Sequence, residues 1–354
     1  MQSKKYIIPN DVLPDLHVEY NSGSPYGYQT GFDLLFNKLT LRSGFYSTWY
    51  GWPQHGKTTL VIAFCTYIAK LHKKRFLIYC PEEGDAVDIV KLILSTWTGK
   101  DFYNRNGGTN RLTPSEIDRA VLEFSQYFYI VPTYIKGFEA ALKYLNDVEA
   151  EIGQPIWSMV IDPINTLITT HAGVAGEYEE GYSLIEHDCR KNKRHHILVT
   201  HPVDDPHKSS EQTQGAIKFL PPPSANNLMG GKTHFRRGQL MVGVWRPKAG
   251  LTNSASSTGE TYKGNEVMVL VQKAKPRGSS VVGDYLLRYD EYRWNYYELD
   301  SHGNKKFPVP IDVPPPSVQI ELPDLPTKLP PSKRFDTFTG NGLFGGHPDE
   351  EVPF

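Results

Sequence analysis

The stretch Gly51-Trp52-Pro53-Gln54-His55-Gly56-Lys57-Thr58-Thr59 sets a glycine four residues ahead of Gly-Lys-Thr, and an apolar run follows. Such spacing aims backbone N–H groups at a phosphate while the N-terminus of the next helix faces the same anion. Gly51 and Gly56 permit close backbone approach, Lys57 reaches the β and γ phosphates, and Thr58 offers a hydroxyl to Mg²⁺. The alternative is an ordinary turn. Context favours the phosphate site, because "GFYSTWYG" enters as a strand and "TTLVIAFCTYIAKL" leaves as an apolar-faced helix. ATP, or another nucleoside triphosphate, with Mg²⁺ is the expected ligand.

Such a loop needs a metal partner and a group that activates water. "WSMVID" ends in Asp162, placed to hold the metal's water shell, although an Asp before Pro is also a common strand-ending turn. "FLIYCPEEGD" puts Glu82 and Glu83 just past a strand, where carboxylates face the ligand crevice, and one of them is expected to polarise water. "HHILVTHP" sets Thr200 and His201 at another strand end, positions from which a γ-phosphate can be sensed.

Cations follow. Lys232, Arg236, Arg237, Arg246 and Lys248 occur in "GGKTHFRRGQLMVGVWRPKAG" without an acid, interleaved with Phe235 and Trp245. This composition suits a single-stranded nucleic-acid backbone, with Lys232, Arg236 and Arg237 the chosen contacts. A core strand with solvated flanks is the plainer reading of "LMVGVW". Lys273, Lys275 and Arg277 end a late strand, where a cation can stabilise transferring phosphate charge within its own subunit or across an interface.

The elements that must position these groups alternate. "FLIYC" (76–80), "YFYIVP" (127–132), "WSMVIDP" (157–163) and "HILVTHP" (196–202) read as buried parallel strands. Between them lie segments with helical spacing, from "KTTLVIAFCTYIAKLHKK" to "GYSLIEHDCRKNKRH". The fold class is α/β, a mostly parallel sheet flanked by helices. After His234, "QLMVGVWRP", "EVMVLVQKAKP", "YLLRYD" and "WNYYEL" lack intervening helices and are expected to add antiparallel strands at the C-terminal side. Residues 1–29 read as an arm or linker, 30–300 as the main domain, and 301–354 as a tail. From Pro308 that tail holds 11 of the 27 prolines and is expected to be disordered.

Lys and Arg total 38 against 39 Asp and Glu, so a net charge of -1 supplies no global attraction for nucleic acid. Any such attraction must come from local patches. Cys65, Cys80 and Cys189 lack metal-ligand spacing and fit a reducing compartment. No stretch approaches the ~20 apolar residues of a membrane span. A cytoplasmic protein without membrane partners is expected.

Taken in order, these motifs resemble the RecA-like domain of DnaB/Twinkle-type hexameric replicative helicases, particularly phage-encoded ones, across roughly Thr30 to Leu299. "FLIYCPEEG" resembles the strand ending in the catalytic glutamate, which falls on Glu82. "SMVIDPINTL" resembles the Walker B strand, "ILVTHP" the phosphate-sensing histidine, and "VQKAKPRG" a basic finger acting on the neighbouring subunit. The resemblance implies an ATP-dependent helicase or translocase on single-stranded DNA in DNA replication, assembled as a homo-hexamer, cytoplasmic in a bacterial host and without a primase module. It departs in the finger, where Lys273-Ala274-Lys275 stands for the usual Lys-x-Arg and Arg277 comes two residues later. A RecA-like recombinase, a DNA-stimulated ATPase without unwinding, and a nucleotide-gated scaffold are the rivals. Separately, "GGHPDEEVPF" resembles the acidic tip of bacterial single-stranded DNA-binding proteins, implying that Asp349, Glu350, Glu351, Pro353 and Phe354 dock replication partners.

Overall fold

A computed structural model describes residues 9–22, 27–103, 110–169, 174–202, 211–225, 228, 232–252, 260–276 and 279–308. The Pro-rich tail from 309 onward, with its acidic tip, and Arg277 lie outside the described residues.

A helix α1 (Leu13–Ser22) and two short paired strands, β1 (Tyr28–Gln29) and β2 (Thr40–Leu41), come first. The phosphate-loop segment lies between β3 (Phe45–Tyr50) and α2 (Lys57–His72). Then follow β4 (Phe76–Tyr79), α3 (Ala86–Thr98), α4 (Pro114–Phe124), β5 (Phe128–Ile130), α5 (Phe138–Ile152), β6 (Ser158–Ile161), α6 (Val174–Asn192) and β7 (His195–Thr200). A hairpin of β8 (Gln212–Gln214) and β9 (Ile217–Phe219) leads to α7 (Lys232–Arg237) and β10 (Leu240–Trp245). The described part ends with β11 (Glu266–Ala274), β12 (Gly283–Asp290), β13 (Asn295–Leu299) and β14 (Lys305–Lys306).

Ten strands form one sheet in the order β14-β13-β12-β11-β10-β3-β7-β6-β4-β5. Pairings from β5 through β10 are parallel, and β11 to β14 add antiparallel strands, as the alternation of apolar runs and helical segments implies. One strand departs from expectation: β10, expected among the antiparallel additions, lies parallel to β3, with Leu240 opposite Ser47 and Gly243 opposite Tyr50. The long connection from β7 lets the chain cross back to the starting edge, which a parallel neighbour requires and a tight hairpin forbids.

Side chains alternate across the sheet. Trp49, Ile78, Val160, Ile197 and Val199 enter the core under α2 and α3, while Tyr46, Tyr79, Met159, Ile161 and Leu198 enter the one under α5 and α6. Both faces are therefore buried, and α2, itself apolar on most sides, is enclosed. Helix α4 is not among the expected elements, although its start carries a local signal. Thr113 and Glu116 form a reciprocal capping box and Pro114 occupies the first turn.

No helix among the described residues is long and apolar enough to cross a membrane.

Candidate nucleotide site

The turn from β3 into α2 is shaped by its backbone. Gln54 and Gly56 have φ of +63° and +80°, and Gly56 caps α2 without a side-chain hydrogen bond. The first-turn N–H groups of α2 therefore face outward, as an anion cradle requires. At Gly51 a β-carbon would lie 2.3 Å from the Val244 carbonyl oxygen, so glycine is needed there because β10 passes so closely. Trp52, in contrast, is buried and packs with Trp245, Leu251, Tyr262 and Leu270.

Beside this turn a cleft of about 430 Å³ is lined by Pro53, Gln54, Gly56, Lys57, Thr58, Thr59, Glu82, Glu83, Asp162, His201 and Arg246. Residues from β4, β6 and β7 thus meet the loop at the carboxyl ends of parallel strands, where open α/β sheets bind ligands. Thr58 Oγ1 donates to Asp162 Oδ2 at 2.6 Å. Burial pushes the Asp162 carboxyl up to about 6, against the pull of Thr58 and Lys57. Lys57, only 5% exposed, donates from Nζ to the Trp52 carbonyl at 3.0 Å. Its ammonium is lowered to about 8 by burial, although Asp162, Glu82 and Glu83 oppose the change. Desolvation thus outweighs mutual attraction on both partners, and this pocket stores charged groups at a cost.

Glu82 and Glu83 differ. Glu82 is 63% exposed and its Oε2 lies 3.8 Å from His201 Nε2. Glu83 is raised chiefly by burial and is held lower by a hydrogen bond from Thr58. The exposed carboxylate is the better base for a water entering from the open side; the other turns toward the Thr58 hydroxyl. His201 is lowered to about 4 by burial and by Lys57, which keeps it neutral at pH 7. Its Nδ1 is buried and has no hydrogen-bond partner among the described residues. Thr200, behind it, donates to Asn165 Oδ1 at 3.2 Å.

His55 accepts the Arg246 backbone N–H on Nδ1 at 3.2 Å. The Arg246 guanidinium reaches the Gly264 carbonyl at 3.3 Å and Glu291 at 3.6 Å while it lines the cleft. In the sequence this arginine reads only as part of the basic, aromatic segment. Finding it in the cleft depends on β10 being parallel to β3, which brings its carboxyl end beside the phosphate loop.

The remaining cations gather at the other end of the sheet. Leu240 is level with both Ser47 and Ala274. The end of β11 consequently sits ~13 Å below Gly51 along the strands, at ~3.3 Å per residue. Lys273 donates to the Phe235 and Arg236 carbonyls at the end of α7 and lies over the Phe235 ring, whereas Lys275 is exposed with no side-chain partner among the described residues. Lys232 is also exposed. Arg236 pairs with Glu179 at 2.7 Å, and Arg237 with Glu186 at 3.4 Å, so acids on α6 accompany the segment that looked uniformly basic.

The donor set fits a magnesium nucleotide: a hydroxyl and a carboxylate for a hard divalent cation, a lysine and outward N–H groups for phosphate.

Searched as a sequence, the chain matches no protein-family profile and no curated protein. Its fold is similar to solved structures. One of them, described as an isolated ATPase domain, superposes with a TM-score of 0.62 at 15% identity, over 82% of this chain and 98% of that one. A DnaB-like replicative helicase, described with its interactions with primase, gives 0.62 and 15% over 83% of this chain and 69% of the other. The likeness is one of architecture: the described residues adopt a RecA-like P-loop fold.

Proposed function

We propose that the chain is an ATPase that moves along single-stranded DNA and separates duplexes in DNA replication, working as a ring of identical copies, six by resemblance. The convergence of Lys57, the Thr58–Asp162 pair, Glu82 and neutral His201 around one cleft carries the nucleotide part of this reading. In it, Lys57 leaves the Trp52 carbonyl for the phosphates, and the outward amides of α2 with Gly56 hold the chain of phosphoryl oxygens. Thr58 and Asp162 hold the magnesium, which neutralises phosphate charge when bound. Glu82 accepts the proton of the attacking water, and His201 donates to or accepts from the terminal phosphoryl group and reports its loss.

The ring rests on a different observation. Lys273 and Lys275 stand at the edge of the sheet away from this chain's own cleft, so they reach a transferring phosphate only in another copy. Lys275, exposed and unpaired among the described residues, suits that role better than Lys273, which holds the end of α7. Arg277 and the partner-docking acidic tip, Asp349 to Phe354, keep the roles their resemblance implies. Lys232, Arg236 and Arg237 are the proposed DNA contacts, the arginines after exchanging Glu179 and Glu186 for phosphate.

A forked-DNA unwinding assay tests the whole. Unwinding that needs ATP and disappears in Lys57→Ala supports a helicase. Strong DNA-stimulated ATPase without strand separation points to a filament-forming or translocating relative instead.

A further inference from the structure

Past His201 the chain forms the β8–β9 hairpin and then runs through Leu220-Pro221-Pro222-Pro223. Consecutive prolines lack N–H donors and stiffen the backbone, leaving carbonyls to be bound from outside. Four side-chain bonds do this. Trp245 Nε1 donates to the Leu220 carbonyl and Trp52 Nε1 to the Pro221 carbonyl, both at 2.7 Å. Gln272 donates to the Pro223 carbonyl at 3.1 Å and accepts the Ala225 N–H at 3.4 Å. Below the rod, Ile217, Phe219 and Leu220 pack on the cluster of Trp52, Trp245, Leu251, Tyr262 and Leu270.

Trp52 differs from the other anchors because it belongs to the phosphate loop. Its carbonyl holds Lys57 Nζ at 3.0 Å and its indole holds Pro221 at 2.7 Å. We infer that Trp52 is a positioning residue that transmits phosphate binding at Lys57 to the β8–β9 hairpin through its two hydrogen bonds. The inference rests on the nucleotide reading above. A triphosphate that takes Lys57 from the Trp52 carbonyl removes one of the two restraints on that peptide. The indole and the proline rod then loosen together, and the hairpin follows because no flexible linker lies between Phe219 and Pro221. Trp245 has no such link to the lysine and serves as a static anchor.

Hydrogen–deuterium exchange over residues 211–219 tests this, with Mg²⁺ and the slowly hydrolysed analogue AMP-PNP as the probe, raised until each protein is saturated in an equilibrium-binding titration. In the wild type, nucleotide should speed hairpin exchange by roughly 3- to 10-fold, the effect of losing about one net hydrogen bond. Trp52→Phe, which keeps an apolar ring but deletes the donor, should exchange fast without nucleotide and show no further response. Trp245→Phe should respond as the wild type does. Lys57→Ala without nucleotide should resemble the nucleotide-bound wild type, and this variant decides the matter if Trp52→Phe does not fold. A wild type that binds AMP-PNP while its hairpin exchange stays unchanged, or a Trp52→Phe protein that responds normally, overturns the inference and leaves the nucleotide site standing. A wild type that binds no nucleotide brings down both.

Discussion

Asp162 offers the sharpest test, because its function and its stability pull in opposite directions. The carboxyl is buried, accepts only the Thr58 hydroxyl at close range, and is pushed from an ordinary 3.8 up to about 6. A folded-state value above the unfolded one means that the folded protein resists ionisation, so stability is full below pH 3.8 and falls as pH rises through about 6. At 1.36 kcal/mol per pH unit the displacement corresponds to ~3 kcal/mol of stability lost by pH 7. Asp162→Asn keeps an oxygen for Thr58 and removes the charge. It should therefore be about 3 kcal/mol more stable than the parent at pH 7, a rise in Tm of roughly 5 °C for a domain of this size. The assay is paired thermal or urea unfolding from pH 4 to pH 8 without nucleotide. The gap between the proteins should widen between about pH 4 and pH 6, by ~1.4 kcal/mol per unit, and stay level above that. Added Mg²⁺ and AMP-PNP should stabilise the parent and leave the variant unmoved. An Asp162→Asn protein that is less stable at pH 7, or a gap that does not change between pH 4 and pH 6, would refute the claim that desolvation dominates this carboxylate.

Other outcomes follow from the same site. Nucleotide affinity, measured by titration at several pH values, should be greatest between about pH 6 and pH 8, since Asp162 must ionise and Lys57 must keep its proton. Glu82→Gln should bind nucleotide yet hydrolyse it about 100-fold or more slowly in a steady-state ATPase assay, while Glu83→Gln retains most activity. Full-rate hydrolysis by Glu82→Gln would transfer the role of base to another group. Gly51→Ala should cost about 3 kcal/mol in urea unfolding, because its methyl group meets the Val244 carbonyl. Lys57→Ala and Lys275→Ala should each be inactive, but an equimolar mixture allowed to reassemble should recover about a quarter of wild-type ATPase, the fraction of random neighbours that combine an intact lysine of each kind. No recovery would mean that Lys275 does not act across an interface.

Much of the nucleotide site is local and therefore legible in the chain. A strand, a glycine-flanked turn and an apolar helix in that order leave few backbone solutions, so Lys57 and Thr58 follow from their neighbours alone. Asp162 and His201 need one further step, that parallel strands end on the same side of a sheet. The capping box of α4 is equally local, yet that helix is missing from the expected elements. What escaped depends on partners far away in sequence. Arg236 and Arg237 look like free cations because their acids, Glu179 and Glu186, lie on another helix. Arg246 joins the cleft because β10 runs beside β3 in the same direction.

Alone, then, the order of residues determined which side chains can hold phosphate and metal, since hydrogen-bond type, charge and short-range backbone geometry are properties of adjacent residues. Tertiary structure decided the direction of β10, the distance separating Lys273 and Lys275 from their own cleft, the ~pH 6 carboxyl of Asp162, and the two bonds of Trp52. Each of these depends on strand order and burial, which arise only when segments remote in the chain compete for the same neighbours and exclude water from between them.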